Sequence, residues 1–310
     1  MALMERDLNL LILMQNHLVV VGILSQFNMD KQENFLKSLN FPLYNISSEL
    51  NSYKFSGTDS LSFLDRISTN KIEIFDPKTS SKTILTDNKG SILDILNYKV
   101  LDNSNIIFSL ESNNPETINY LKKLIIVEDV EIFEDDVIKK MTIYSRKEII
   151  DENNFFSFCF YNINKLRDII RYEVYFKDNF EINNLSLNEF QNISDSTKEL
   201  IDIKNNLFEF DTKLKKINPL ETGLIDYISF NKGCYVGQEV IARLHNYKKI
   251  SREIIKFQSN ENLIINDAFK SKDNISGKIL SVTKDKTEFV GLCLIKKKDV
   301  GKISSDFLLI

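Results

Sequence analysis

Only two histidines, His17 and His245, occur in the whole chain, and neither belongs to an H-E-x-x-H or Cys/His cluster. That argues against a zinc or iron site built by this chain alone, because such sites gather His and Cys ligands at close spacing. Cysteine is equally sparse. Cys159, Cys234 and Cys293 are odd in number, far apart and form no C-x-x-C pair, which points to a reducing, cytoplasmic compartment and away from a disulfide framework. An excess of one charge is missing too. Forty basic against forty-four acidic side chains leave a formal charge of −4, so no global field draws nucleic acid or anionic lipid, and direct nucleic-acid binding is not expected. The local crowding of Lys213, Lys215, Lys216, Lys232, Arg243, Lys248, Lys249 and Arg252 reads as a solvated lysine-rich surface.

Long apolar runs are also lacking. The segment from Leu8 to Leu24 is broken by Gln15, Asn16 and His17 and falls short of the roughly 20 residues that cross a bilayer. Glu5, Arg6 and Asp7 ahead of it do not make the basic start of a secretory signal. No membrane association is expected. Met29 is a second candidate for the start of translation, so residues 1–30 read as an N-terminal extension. No G-x-G-x-x-G and no G-x-x-x-x-G-K-[ST] occurs, which disfavours a Rossmann or P-loop nucleotide site.

What is there is an ordinary globular composition, 43% hydrophobic and 27% charged, over a length that suits two or three domains. From Tyr53 the pattern is that of a mixed α+β unit. Thr58 or Asp59 caps a helix with Leu61, Leu64 and Ile67 on one stripe. Strand-like runs at Thr83–Leu85 and Ile92–Val100 flank the turn signal Asp87-Asn88-Lys89-Gly90 and read as a hairpin. A third strand, Ile106–Leu110, leads to Asn114 and Pro115 at the cap and first position of a helix that buries Ile118, Leu121 and Leu124. Residues 131–210 show only weak periodicity and read as a middle α+β region. Beyond Ile250, short strands at Ile254–Phe257, Lys278–Val282 and Phe289–Ile295 suggest a small C-terminal β-barrel or sandwich over residues 251–310.

The most informative stretch is Asn218-Pro219-Leu220-Glu221-Thr222-Gly223-Leu224, followed by Lys232-Gly233-Cys234-Tyr235-Val236-Gly237-Gln238-Glu239 and Arg243. Gly233 and Gly237 are expected to let the backbone turn tightly about Cys234, and Gln238–Leu244 to form a short helix just after it. A free thiol titrates near about 8.5 and is only slightly ionised at neutral pH. A helix terminus contributes roughly 0.3–1 kcal/mol, less than one pKa unit, so Lys232, the nearest cation in sequence, is the expected second contributor, while Glu239 would oppose it. Cys159 and Cys293, in apolar surroundings, read as small buried hydrophobes.

The K-G-C-Y-V-G-Q-E run resembles the signature of the YgfZ-type folate-binding proteins, relatives of the glycine-cleavage T-protein. Phe55-Ser56-Gly57-Thr58-Asp59, Ser68-Thr69-Asn70 and Gly90-Ser91-Ile92-Leu93-Asp94-Ile95 resemble further elements of that superfamily. The resemblance implies an α+β ring of domains around a central site for tetrahydrofolate or a derivative, spanning residues 31–250, with the small barrel beyond it. It implies a role in assembly or repair of iron–sulfur clusters in client enzymes, such as those that thiolate tRNA, with Cys234 and Lys232 as the reactive pair. Gly233, Tyr235, Gly237, Gln238, Glu239 and Arg243 are then motif positions, and Asp94, Tyr98 and Asn70 the folate candidates. Asp94 and Tyr98, four apart on a strand, face one side. Two departures stand out: Ile95 where the T-protein has a second aspartate, and Asp202 and Lys204 where the superfamily has Arg and Glu. They weaken the alternative, a folate-dependent aminomethyltransferase.

Overall fold

One strand joins the two halves of the main sheet. β1 (Leu43–Ser56) pairs along one edge with β4 (Asn105–Leu110) and along the other with β5 (Glu131–Ser145), both antiparallel. The path is β2–β3–β4–β1–β5–β7–β6, with β2 at Ser81–Thr86, β3 at Ile92–Asp102, β6 at Phe160–Lys165 and β7 at Ile170–Lys177. The two-residue β8 (Gln191–Asn192) adds a parallel contact at the start of β1. The computed structural model describes residues 39, 41–73, 80–149, 159–166, 168–177, 190–205, 207, 214–270, 275–300 and 307–309. All the described residues but Leu39 belong to one compact unit, Phe41–Leu309. The apolar segment Leu8–Leu24, Met29 and Lys213 lie outside the described residues.

The hairpin read from the sequence is present as β2 and β3. Its turn is held by the Asp87 carboxylate, which accepts from the backbone N–H of Lys89 and Ser91 at 2.9 Å each, an Asx arrangement that lets Gly90 take φ 70°. Helix α1 (Ser60–Ile67) follows β1 and buries Phe63, Leu64 and Ile67, with Leu61 packed at the margin. Helix α2 (Pro115–Leu124) begins as expected: the Asn114 side chain accepts from Glu116 N–H, and Pro115 fills the first turn, where its missing donor costs nothing. Ile118 and Leu121 enter the core. There Phe55 stacks on Phe108 with ring centroids 4.2 Å apart, and both are fully buried. Truncating either ring would cost about 3–5 kcal/mol.

The middle region, the least legible in sequence, supplies β5, β6, β7 and helix α3 (Asp195–Lys204). Met141, Ile143, Tyr172, Val174 and Phe176 form a second core on one face of β5 and β7. After helix α4 (Gln238–Asn246) come β9 (Arg252–Ser259), β10 (Ala268–Lys270), β11 (Ser276–Asp285), β12 (Glu288–Lys296) and β13 (Phe307–Leu309). These form a five-stranded antiparallel sheet in the order β10–β11–β12–β9–β13. Among the described residues the sheet is open, with no pairing of β10 to β13, where the sequence suggested a closed barrel. No helix among the described residues is long and apolar enough to cross a membrane.

Candidate functional site

The stretches singled out in the sequence meet in space. Asn218 anchors the first to the hairpin turn: its side-chain amide donates to Gly90 O at 2.8 Å, while Ile92 N–H donates to Ile217 O and Lys216 N–H to Ile92 O. The second is tied to the same turn, since Thr86 Oγ1 donates to Val236 O. It is tied also to Ser68-Thr69-Asn70: Ser229 N–H donates to Thr69 O, and Thr69 Oγ1 to Tyr227 O at 2.7 Å. Two separated segments, the hairpin turn and Ser68-Thr69-Asn70, thus hold one loop, Tyr227–Gly237, while the Asn218 segment holds the hairpin turn.

Gly237 is where that loop needs glycine. Its φ is +85°, and a Cβ there would lie 2.4 Å from Asp87 O and 3.0 Å from Gly90 Cα, so both conformation and space exclude a side chain. Gly233 differs from expectation. A Cβ at that position would meet nothing within 4 Å, and its backbone is not left-handed, so the tight turn belongs to Gly237 alone.

Cys234 is exposed, Cys159 half-buried and Cys293 buried. Burial raises the Cys159 thiol, and pushes Cys293 up to about 12. Cys234 is therefore the thiol that a partner can reach. The helix expected right after it starts at Gln238 with Gly237 as N-cap, so Tyr235, Val236 and Gly237 separate the cysteine from the first helical residue. The dipole of α4 falls off within its first turn and is correspondingly remote.

Lys232 is engaged with the end of α1. Its ammonium donates to the carbonyls of Asp65, Ser68 (2.9 Å) and Asn70 (2.6 Å) and pairs with the Asp65 carboxylate at 3.1 Å, with a side chain only 1% exposed. These are the free carbonyls at the end of α1, where a cation is favoured. Burial lowers the Lys232 pKa, with Asp65 opposing. The same bonds occupy Asn70: its backbone carbonyl takes Lys232, and its side chain bridges Lys82 O and Lys71 N–H. Tyr235 is buried, which raises its phenol to about 12, and lies under the Lys232 ammonium at 5.6 Å. Glu239 and Arg243 are exposed on α4, with Gln238 half-exposed at its start.

Asp94 sits at the foot of α2. One carboxylate oxygen accepts from Ile95 N–H (2.9 Å) and Ser112 N–H (3.2 Å), the other from the Ser112 hydroxyl and Thr117 Oγ1 (3.1 Å). Burial raises its pKa, and these donors oppose the rise. Tyr98 lies on the same side of β3, as the spacing of four required, but that side is the hydrophobic core beneath α2. Its ring is therefore packed among Leu96, Phe108 and their neighbours and is not a wall for a ligand. A pocket of about 550 Å³ lies just outside, lined by Ile92, Leu93, Thr117, Tyr120, Lys215 and Lys216, with Asp87, Glu116 and Val236 at its sides. A small recess lined by Asp94, Glu111 and Lys215 shares Ile92 and Leu93 with it.

One cluster was missed in the sequence. Lys82 bridges Glu111 (3.1 Å) and Glu173 (2.9 Å), and Lys140 bridges the same two at 3.1 Å each, a closed square of ion pairs with every side chain 5% exposed or less. Arg171 extends it from Glu173 (3.3 Å) to Asp202 (3.2 Å), and Asp202 also takes Lys198 (3.1 Å) and the Tyr144 hydroxyl (2.6 Å). Burial opposes every charge here. Arg171, Lys140 and Lys82 nonetheless hold Glu173 well below the carboxylate range, and Glu111 and Glu173 hold Lys82 above the usual ammonium value. Asp202 has its cationic partners in Arg171 and Lys198, which accounts for an acid at that place, and Lys204 pairs with Asp285 at 2.6 Å. Among the described residues, no group of three His, Cys, Asp or Glu side chains is placed to hold a metal.

No family profile matches the sequence. A solved structure, the glycine cleavage system aminomethyltransferase T from Bartonella henselae, superimposes with a TM-score of 0.62 over 86% of this chain and 81% of that one, at 10% identity. The chain has a T-protein-like fold. A curated protein from Arabidopsis thaliana, "Putative transferase At1g60990, chloroplastic", is 55% identical over 40 residues, 13% of this chain and 9% of that protein's length.

Proposed function

We propose that the protein is a folate-binding accessory factor for assembly or repair of iron–sulfur clusters in client enzymes, with Cys234 as the thiol presented to the client. The observation that carries this is the exposure of Cys234 on a loop held by the hairpin turn and by the segment that ends α1, while the other two thiols are half-buried and buried. An exposed thiol on a fixed loop suits a group that is handed to a partner. Folate fits the pocket beside Asp94. Its 550 Å³ is within the range of small-molecule sites; Ile92, Leu93 and Tyr120 offer an apolar wall for a fused ring, Asp87 and Glu116 accept from ring N–H groups, and Lys215 and Lys216 suit the carboxylates of a glutamyl tail. In this reading residues 31–250 are the folate-binding region, the C-terminal strands lie beyond it, and the protein works in the cytoplasm with enzymes that thiolate tRNA among its clients.

The T-protein-like fold favours a second reading, a tetrahydrofolate-dependent aminomethyltransferase. Against it, all the acceptor positions that Asp94 turns inward are already used by Ser112, Ile95 and Thr117. The test is complementation of a strain lacking its own YgfZ-type protein, read out as iron–sulfur-dependent tRNA thiolation. Rescue by wild type and loss of rescue with Cys234→Ala support the accessory reading. Full rescue by Cys234→Ala refutes the role of the thiol, and methylene-tetrahydrofolate production from an aminomethyl-lipoyl donor would then support the transferase.

A further inference from the structure

A second cavity, of about 360 Å³, lies between α3, the start of β1 and the C-terminal sheet, and shares no lining residue with the pocket beside Asp94. The charged side chains in its wall are all engaged. The Asp195 carboxylate accepts from the Asn45 amide at 2.9 Å, and Glu199 has a partner of its own. Asp202 takes Lys198, Arg171 and the Tyr144 hydroxyl. What remains open is neutral. Asn45 Oδ1 and Ser281 Oγ, on lining residues each 4% exposed, have no hydrogen-bond partner among the described residues. The Asn45 amide nitrogen donates also to Ile193 O at 3.0 Å, which fixes the oxygen of that side chain as an acceptor. The Ser281 hydroxyl can donate or accept. Around them the wall is aliphatic, with Ile254, Leu280 and Leu292 contributed by β9, β11 and β12.

A buried polar atom left unpaired costs more than a typical hydrogen bond contributes, so two at one cavity call for a molecule that pairs both. We propose that this cavity is a binding site for a small neutral amphiphile, its hydroxyl or amide groups donating to Asn45 Oδ1 and sharing a hydrogen bond with Ser281, its aliphatic part lying against Leu280 and Leu292. A charged ligand of either sign would leave water for a wall whose charges are already paired, and would find no counter-charge there. A purely apolar ligand would leave both oxygens as they are.

The probe is hexane-1,2-diol, titrated into the full chain and followed through the methyl resonances of Leu280 and Leu292. Saturable shifts of these methyls are expected. The dimethyl ether of the same diol, which cannot donate, should bind about tenfold more weakly, the scale of the hydrogen bonds it forgoes, and hexylammonium and hexanoate should bind more weakly than the diol as well. Ser281→Ala should weaken the diol severalfold, the scale of one neutral hydrogen bond. It should melt no earlier than wild type, because it removes an unpaired buried hydroxyl. If it does melt early, the diol and its ether on the wild-type chain decide. Absence of saturable shifts, which would leave water as the partner of both oxygens, overturns the proposal. So does an ether or a charged probe that binds as tightly as the diol, or a well-folded Ser281→Ala chain with undiminished affinity.

Discussion

The Cys234 loop and the buried ion network use charge in opposite ways. In the network, seven charged side chains, Lys82, Glu111, Lys140, Arg171, Glu173, Lys198 and Asp202, are nearly out of reach of water and bind one another across β2, β5, β7 and α3. At the loop a single buried ammonium, Lys232, holds backbone carbonyls, while the Cys234 thiol is left exposed. A buried charge is tolerated only when its partners are complete. The network therefore fixes the relation of strands, and the loop leaves the Cys234 thiol exposed. The contrast predicts that substitutions in the network act on stability, and those at the exposed tip of the loop on function.

The largest effect should come from breaking the square. Glu173→Ala leaves Lys82, Lys140 and Arg171 without a shared carboxylate and is expected to lower unfolding free energy by about 3–5 kcal/mol, measured by urea titration. The depressed Glu173 pKa also sets a pH dependence. Its contribution is fully present above the ordinary glutamate value of about 4.3 and is lost as pH falls through the lower folded value. Acid titration of stability in Glu173→Gln should lack that part of the fall, whereas equal acid slopes in the two proteins would contradict the assignment.

The glycines of the loop sharpen the comparison at its two ends. Gly237→Ala must take a positive φ and displace Asp87 O, which costs on the order of 1–3 kcal/mol, while Gly233→Ala should stay within about 0.5 kcal/mol. Equal melting temperatures for the two would show that the turn is not where the structure puts it. Lys232→Met should cost about 1–3 kcal/mol by freeing the carbonyls of Asp65, Ser68 and Asn70. It should leave the rate at which Cys234 reacts with a thiol reagent unchanged. A sharp drop in that rate would restore Lys232 as the activating cation. The smallest effect is expected for Asp94→Asn, within about 1 kcal/mol by urea titration. An amide can keep the bonds to Ile95 and Ser112, and a carboxyl whose pKa is raised gains nothing from its charge in the neutral range.

Much of this was legible in the sequence. The Asp87–Gly90 turn, the Asn114-Pro115 helix start and the α1 stripe follow from local chemistry, and each is present. The meeting of Asn218 with Gly90, and of Ser68-Thr69-Asn70 with the cysteine loop, joins stretches that the sequence marked out separately. The ion network was not legible because β5 and β7 alternate apolar with polar, Met141 and Ile143 against Lys140 and Thr142, Tyr172 and Val174 against Arg171 and Glu173. Such alternation ordinarily marks a face in water. Here that polar face is covered, and only the pairing of distant strands shows it. The bonds of Lys232 were not legible for a related reason: adjacency to Cys234 along the chain says nothing about the carbonyls at the end of α1, some 160 residues earlier. The burial of Tyr98 in the core was not legible either, because period two gives which residues share a side and not whether that side is core or pocket.

The most direct test keeps one thiol at a time. A chain carrying Cys159→Ser and Cys293→Val, with Cys234 as its only cysteine, should react rapidly with one equivalent of a thiol reagent and restore iron–sulfur-dependent tRNA thiolation in a strain lacking its own YgfZ-type protein. The converse chain, Cys234→Ser with the other two intact, should react slowly and fail to restore it. Rescue by the converse chain would contradict the account, since the exposed thiol on the fixed loop would then have no part in the function.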